Sequence, residues 1–169
     1  MEPRRFIVDV DSTITDHWRR IRQHTMPHWP GLSIRPSAFE EASVMKDQIL
    51  PGCLDVLWRA QHDGFEVSYL TARGWDKLGD ITRRQLEGFR LPNPERVQIV
   101  STLTDKIVLL RKHSPCYYVD DFWTGQEKSI GTFHQDVAMT IRALGINVIV
   151  FRNDWEDVWQ QVQCYEGDK

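Results

Sequence analysis

The chain has 169 residues, 41% of them hydrophobic and 27% charged, with a formal net charge of −3. That length suits one domain, spanning residues 1–169, whose core is large enough to need no disulfide or metal staples. The slightly acidic balance argues against a protein that coats nucleic acid and leaves room only for a local basic cleft. Cys53, Cys116 and Cys164 are widely spaced and form no CxxC pair, which fits a reducing, cytoplasmic setting. The first apolar run is too short for a signal peptide and contains Asp9, and no run approaches the length of a membrane span.

In chain order, "RFIVDV" (5–10) reads as a buried strand ending in a carboxylate. Residues 14–50 then interrupt the pattern. Their first part reads as a short helix ended by Pro27. "PSAFEEASVMKDQI" (36–49) reads as a second helix, with Ser37 as N-cap and Glu40 three positions on. The segment is expected to be a small helical, cap-like insert over the edge of the sheet. "PGCLDVLWRAQHDG" (51–64) has a proline at its start, Leu54, Leu57 and Trp58 on one face and a glycine stop, so it reads as a helix. "FEVSYLT" (65–71) is a second strand. Residues 75–89 form a helix with Leu78, Ile81, Thr82 and Leu86 on one face. "RVQIVS" (96–101) is a third strand, and 104–113 a helix with Thr104 as N-cap. "CYYVDD" (116–121) is a fourth strand, 133–145 a helix stopped by Gly145, "INVIVF" (146–151) a fifth strand, and 154–163 a closing helix capped by Asp154. Strand and helix alternate throughout. Right-handed crossovers turn that order into a three-layer α/β fold, a Rossmann-like parallel sheet with helices on both faces.

Ligands of such sheets bind at the carboxyl ends of the strands, so the residues there matter most. The first strand ends in "DVDST" (9–13), the second in Thr71, Ala72 and Arg73, the fourth in Asp120 and Asp121. Lys106 lies near the start of the helix that leads into the fourth strand. Asp9, Asp11, Asp120 and Asp121 offer hard oxygen ligands, for which Mg²⁺ is the natural partner alongside water and phosphate. Thr71 supplies a hydroxyl and Lys106 a point charge for phosphate oxygens. A lysine near a helix start is often only solvated, and Lys77 and Lys112 compete for the role. Order and spacing favour Lys106, which lies 14 positions before Asp120.

These motifs resemble those of the haloacid dehalogenase superfamily. "DVDST" is similar to the superfamily's DxDxT motif, "YLTAR" to its hydrophobic strand ending in a hydroxyl, Lys106 to its lysine, and "YYVDD" to its acidic fourth motif. The resemblance covers about residues 5–121. It implies a Mg²⁺-dependent phosphatase working through an aspartyl-phosphate, with Asp9 as nucleophile and Asp11 as acid/base. Ser12 departs from the glycine that is commonest at its place. "LTARG", a helix and the paired acids are more like the phosphatase half of phage-type polynucleotide kinases and the deoxyribonucleotidases.

The substrate class follows from the residues near the opening. Arg73 is a candidate substrate contact, Trp75 and Trp123 border the site, and Arg19, Arg20 and Arg22 form either a basic lip or a charged helix face. A short insert should leave the site partly open, so the expectation is a nucleotide or a phosphorylated nucleic-acid end, with tryptophans available for stacking. His17, His24 and His28 read as solvated or substrate-facing, because Pro27 breaks any helix that would align the last two. Two rivals stand beside the phosphatase. One is a catalytically idle domain that binds a phosphorylated ligand or a protein. The other is a phosphotransferase with an acceptor other than water.

Overall fold

The computed structural model describes residues 4–28, 31–73, 78–124 and 132–167. Trp75 and Lys77, both named from the sequence, lie outside them.

The central sheet is assembled from β1 (Arg4–Val8), β4 (Phe65–Thr71), β5 (Val97–Ile99), β6 (Cys116–Asp120) and β9 (Asn147–Val150). Its order is β5-β4-β1-β6-β9, and every neighbouring pair is parallel. The chain winds outward from β1 through β4 to β5, then returns to lay β6 on the other side of β1. That reversal opens a crevice at the carboxyl ends of β1 and β6, the place where sheets of this kind bind ligands.

Alternation along each strand divides the core. Phe6 and Val8 face one side with Val67, Tyr69, Tyr117, Val119 and Ile149. That side is covered by α3 (Cys53–His62) and α7 (Trp155–Gly167), which contribute Val56, Leu57, Trp155 and Val158. Ile7, Leu70, Tyr118 and Val148 face the other side. There α5 (Leu103–His113) and α6 (Gln135–Ala143) supply Leu110, Ala138 and Ile141. Helices therefore cover both faces, as the strand–helix alternation required. Gly64 and Gly145, read as helix stops, adopt φ of +83° and +78°, a region open to glycine at little steric cost. Among the described residues, no helix is long and apolar enough to cross a membrane.

The segment after β1 departs from its helical expectation. It holds α1 (His17–His24), an antiparallel ribbon of β2 (Thr25–His28) with β3 (Gly31–Ile34), a 3₁₀ turn at Pro36–Phe39, and one α-turn, α2 (Glu41–Val44). Helix α1 stops before Pro27, but the chain continues as a strand. The long helix expected over 36–49 does not form, because Glu40 is extended, with φ −74° and ψ 148°. Ser37 does not cap it; its hydroxyl is engaged by Nδ1 of His24 at 3.0 Å. The insert is pinned by Arg20, which donates from Nε to Asp47 at 2.9 Å and from Nη1 to the Ala38 carbonyl at 2.5 Å. It meets the core where Val44 packs on Leu78 and Ile81 of α4 (Leu78–Gly88). A second short ribbon, β7 (Trp123–Thr124) with β8 (Thr132–Phe133), follows β6.

Candidate active site

Asp9 immediately follows β1, and its backbone N–H still donates to Val119 of β6 at 2.9 Å. This places its side chain beside the end of β6, where Asp120 and Asp121 emerge. One carboxylate oxygen from each of Asp9, Asp120 and Asp121 lies within 4.8 Å of the others, and all three residues are buried. Lys106 reaches this cluster from the first turn of α5. Its ammonium donates to Asp9 Oδ1 at 2.6 Å and to Asp120 Oδ2 at 2.9 Å, with the lysine only 4% exposed. Lys112, the other described candidate, is exposed. Lys106 is held there by a capping box different from the one expected. The N-cap is Thr102, whose hydroxyl accepts from the Asp105 N–H at 3.1 Å, while the Asp105 carboxylate accepts from the Thr102 N–H at 3.0 Å. Thr104 lies inside the helix.

The electrostatics follow from burial and crowding. Desolvation pushes the Asp9 carboxyl well above its usual range; Lys106 opposes this, and Asp120 and Asp121 reinforce it. Burial alone would weaken the Lys106 ammonium, but Asp120 and Asp9 outweigh it and hold the proton firmly. With three buried carboxylates and one ammonium, ionisation of all four leaves an excess of negative charge. Burying such charge is costly unless something pairs with it. The donor set is all hard oxygen, so a divalent cation such as Mg²⁺ fits Asp9, Asp120 and Asp121.

Asp11 stands apart from this trio. It pairs with Arg73, which donates from Nε to Oδ2 at 2.8 Å and from Nη2 to Oδ1 at 2.7 Å. The remaining Nη1 of Arg73 donates to Thr82 at 3.0 Å and to Gln85 at 2.9 Å. Arg73 is only 6% exposed. The guanidinium expected to contact substrate is thus committed to a carboxylate and to α4. Arg20 approaches Asp11 Oδ1 at 3.5 Å as well. Burial would raise the Asp11 carboxyl, but Arg73 holds it well below the usual carboxylate range. Of the three arginines considered as a basic lip, Arg20 is buried in the insert, while Arg19 and Arg22 are exposed.

Thr13 and Tyr118 join the site without having been singled out in the sequence. Thr13 donates to Asp9 Oδ2 at 3.4 Å and accepts from the Asp121 N–H at 3.2 Å, tying the first motif to the fourth. Its place at the end of "DVDST" was the available signal. Tyr118 donates its phenol to Asp120. Asp120 also accepts from the Phe122 N–H at 2.7 Å, and Asp121 from the Trp123 N–H at 3.2 Å. Ser12 has a left-handed φ of +62° and contacts His17 Nδ1 through its hydroxyl at 2.5 Å. That backbone angle is a reason for glycine to be at ease at this place. Burial holds the half-buried His17 neutral by lowering its pKa to about 4.

Asp9, Asp11, Thr71, Lys106, Asp120 and Asp121 all line one cavity of about 210 Å³, with His17 and Trp18 from the insert and Trp123 at its border. Trp123 packs against Phe133 with the two rings tilted at 47° and their centroids 5.7 Å apart.

The fold resembles that of a class C acid phosphatase. A solved structure of the Bacillus anthracis protein aligns with a TM-score of 0.58 and 19% identity over 96% of this chain and 73% of that one. The same protein with tungstate bound aligns with a TM-score of 0.58 and 18% identity over 95% of this chain and 73% of that one. At such identity the likeness is one of fold: a five-stranded parallel sheet flanked by helices, matching the Rossmann-like haloacid dehalogenase fold. Comparison by sequence finds no matching protein family and no similar curated protein.

Proposed function

We propose that the chain is a Mg²⁺-dependent phosphatase that hydrolyses a phosphomonoester through an aspartyl-phosphate. One observation carries this reading: Lys106 bridges Asp9 and Asp120 at the sheet's switch point, in a cavity that also holds Thr71, Asp11 and Asp121. The fold of an acid phosphatase, and the tungstate that one such structure binds, support it. Tungstate is an oxyanion of the same tetrahedral kind as phosphate.

In this reading an Asp9 oxygen attacks phosphorus in line. An O–P bond forms as the bond from phosphorus to the ester oxygen breaks. Asp11 protonates the departing oxygen. It then takes a proton from the water that cleaves the acyl phosphate, restoring Asp9 and releasing phosphate. Ion-paired to Arg73, Asp11 is a carboxylate suited to the second half, and its acid role requires that pair to loosen. Lys106 neutralises Asp9 and Asp120, and its ammonium with the Thr71 hydroxyl serves the non-bridging oxygens. Asp9, Asp120 and Asp121 would hold the metal, whose charge offsets that of the phosphoryl group when bound. Asp11, counted with the metal ligands from the sequence, is assigned to proton transfer alone. Thr13 positions Asp9 and Asp121.

Arg73 and Arg20 commit their charge to Asp11 and Asp47, which favours a small phosphomonoester over a nucleotide or nucleic-acid end. Phosphate release from a panel of phosphomonoesters with Mg²⁺, with EDTA and in Asp9→Asn tests it. Turnover that needs both the metal and Asp9 is expected. Undiminished turnover in EDTA would end the metal assignment.

A further inference from the structure

Beside the reaction cavity lies a second one of about 180 Å³, and the two share Asp11, His17 and Ala72. Apart from that shared edge, its walls are of a different character. Ile21, Ile34, Phe39 and Val44 come from the insert, and Leu78 comes from α4. Among the described lining residues the polar ones are His17 on the shared edge and, grouped at the base, Asp11, Arg20 and Arg73. These three are satisfied among themselves and by Asp47, Thr82 and Gln85. The base therefore presents an internally neutralised surface rather than a free cation for a second phosphate.

Resting on the phosphatase reading, we propose that this cavity is the leaving-group subsite, and that the substrate is the monoester of a compact, apolar, ring-sized alcohol. Position is the first argument. Asp11, assigned to protonate the departing oxygen, stands at the junction of the two cavities. A phosphoryl group held against Asp9 and Lys106 would place its ester oxygen at Asp11 and its carbon skeleton beyond, among Ile34, Phe39 and Val44. Size is the second. An apolar cavity of about 150 Å³ holds benzene, so this one accommodates a six-membered ring. Chemistry is the third. Ile34 and Phe39 are only half-buried although apolar, and a ring lying on them would remove that surface from water. A polyol such as glycerol or a sugar would leave its hydroxyls unpaired there, which costs more than it gains. The insert thereby acquires a role: it is one wall of the specificity pocket.

The test compares two probes with leaving alcohols of similar acidity, benzyl phosphate and 2-hydroxyethyl phosphate, with Mg²⁺ present. In parallel, calorimetry measures binding of the non-hydrolysable benzylphosphonate and 2-hydroxyethylphosphonate. The benzyl compound should lead at least tenfold in kcat/KM and in affinity. Both ratios should fall toward one in Ile34→Asn and in Phe39→Ala, with circular dichroism confirming that each variant is folded. Ratios at or below one in the wild type, or ratios unchanged in both variants, would overturn the subsite. Failure of the phosphatase reading looks different: neither ester is turned over, whatever the phosphonates do. A benzylphosphonate preference that persists without turnover would uphold the apolar pocket while removing the reaction. Turnover without any benzyl preference would do the reverse.

Discussion

Lys106 is the cation that allows Asp9 and Asp120 to sit buried side by side. Replacing it with methionine leaves two buried carboxylates without their partner, a change that typically costs about 3–5 kcal/mol. Thermal denaturation of Lys106→Met at neutral pH should show that loss, and added Mg²⁺ should recover part of it. Asp9→Asn acts in the opposite sense. The amide keeps the shape, removes a carboxylate that burial and its acidic neighbours disfavour, and cannot attack phosphorus. Its melting temperature should equal or exceed that of the wild type while phosphate release falls by about 10³-fold or more. His17 gives a pH signature. Its pKa is lowered from 6.5 to about 4 by burial, with Arg20 and Arg73 nearby and Asp11 opposing. On acidification the unfolded chain takes up this proton first, near pH 6.5, and the folded chain only near pH 4. The stability that neutral His17 carries above pH 6.5 is therefore lost across that window, by on the order of 3 kcal/mol at most. Asp47 works against it: burial raises its pKa to about 6 from 3.8, so acidification through that range favours the folded state. Melting temperatures of His17→Gln and wild type, measured from pH 7 to pH 4, separate the two. The variant should lose less on acidification, and parallel curves would contradict the assignment.

At the scale of elements, α5 shows how a cap serves a site. The Thr102–Asp105 box fixes the first turn of the helix, and Lys106 follows it directly. Thr102→Ala should cost about 1 kcal/mol of stability and also weaken phosphate binding, read as a raised KM, by loosening the turn that aims the ammonium. An unchanged KM with lowered stability would confine the box to folding. Thr102 with an acid three residues on is visible in the sequence, although the expected N-cap is Thr104. Two threonines stood at plausible starts, and only the geometry of the turn distinguishes them. The insert was less legible. Ser37 and Glu40 have the spacing of a capping box, but the Ser37 hydroxyl is drawn to His24 and Glu40 takes an extended backbone. Both outcomes depend on packing between segments rather than on local preference. The β2–β3 ribbon is hard to see in the sequence because each strand is only four residues long and β2 contains Pro27, so neither carries much periodic signal.

For the whole molecule, the sheet was readable because its strands are short apolar runs whose alternate residues fill two cores, Phe6 and Val8 on one side and Ile7 on the other. The convergence of Asp9, Thr71, Lys106 and Asp120 was readable for a related reason: in a parallel sheet all carboxyl ends lie on one edge. The partners of Arg73 and Arg20 were not readable. Their pairing with Asp11 and Asp47 needs α1, α4 and the loop after α2 to pack together, and spacing along the chain says nothing of that. These two buried pairs give the site a neutralised base under an apolar wall. The proposed mechanism requires Asp9 to be phosphorylated during turnover. The most direct measurement is rapid-quench mass spectrometry of the protein mixed with a phosphomonoester and Mg²⁺. An acid-stable, base-labile phosphate should map to Asp9 and be absent from Asp9→Asn. Sustained turnover in Asp9→Asn, or phosphate release at full rate with no phosphorylated Asp9 at any quench time, would contradict it.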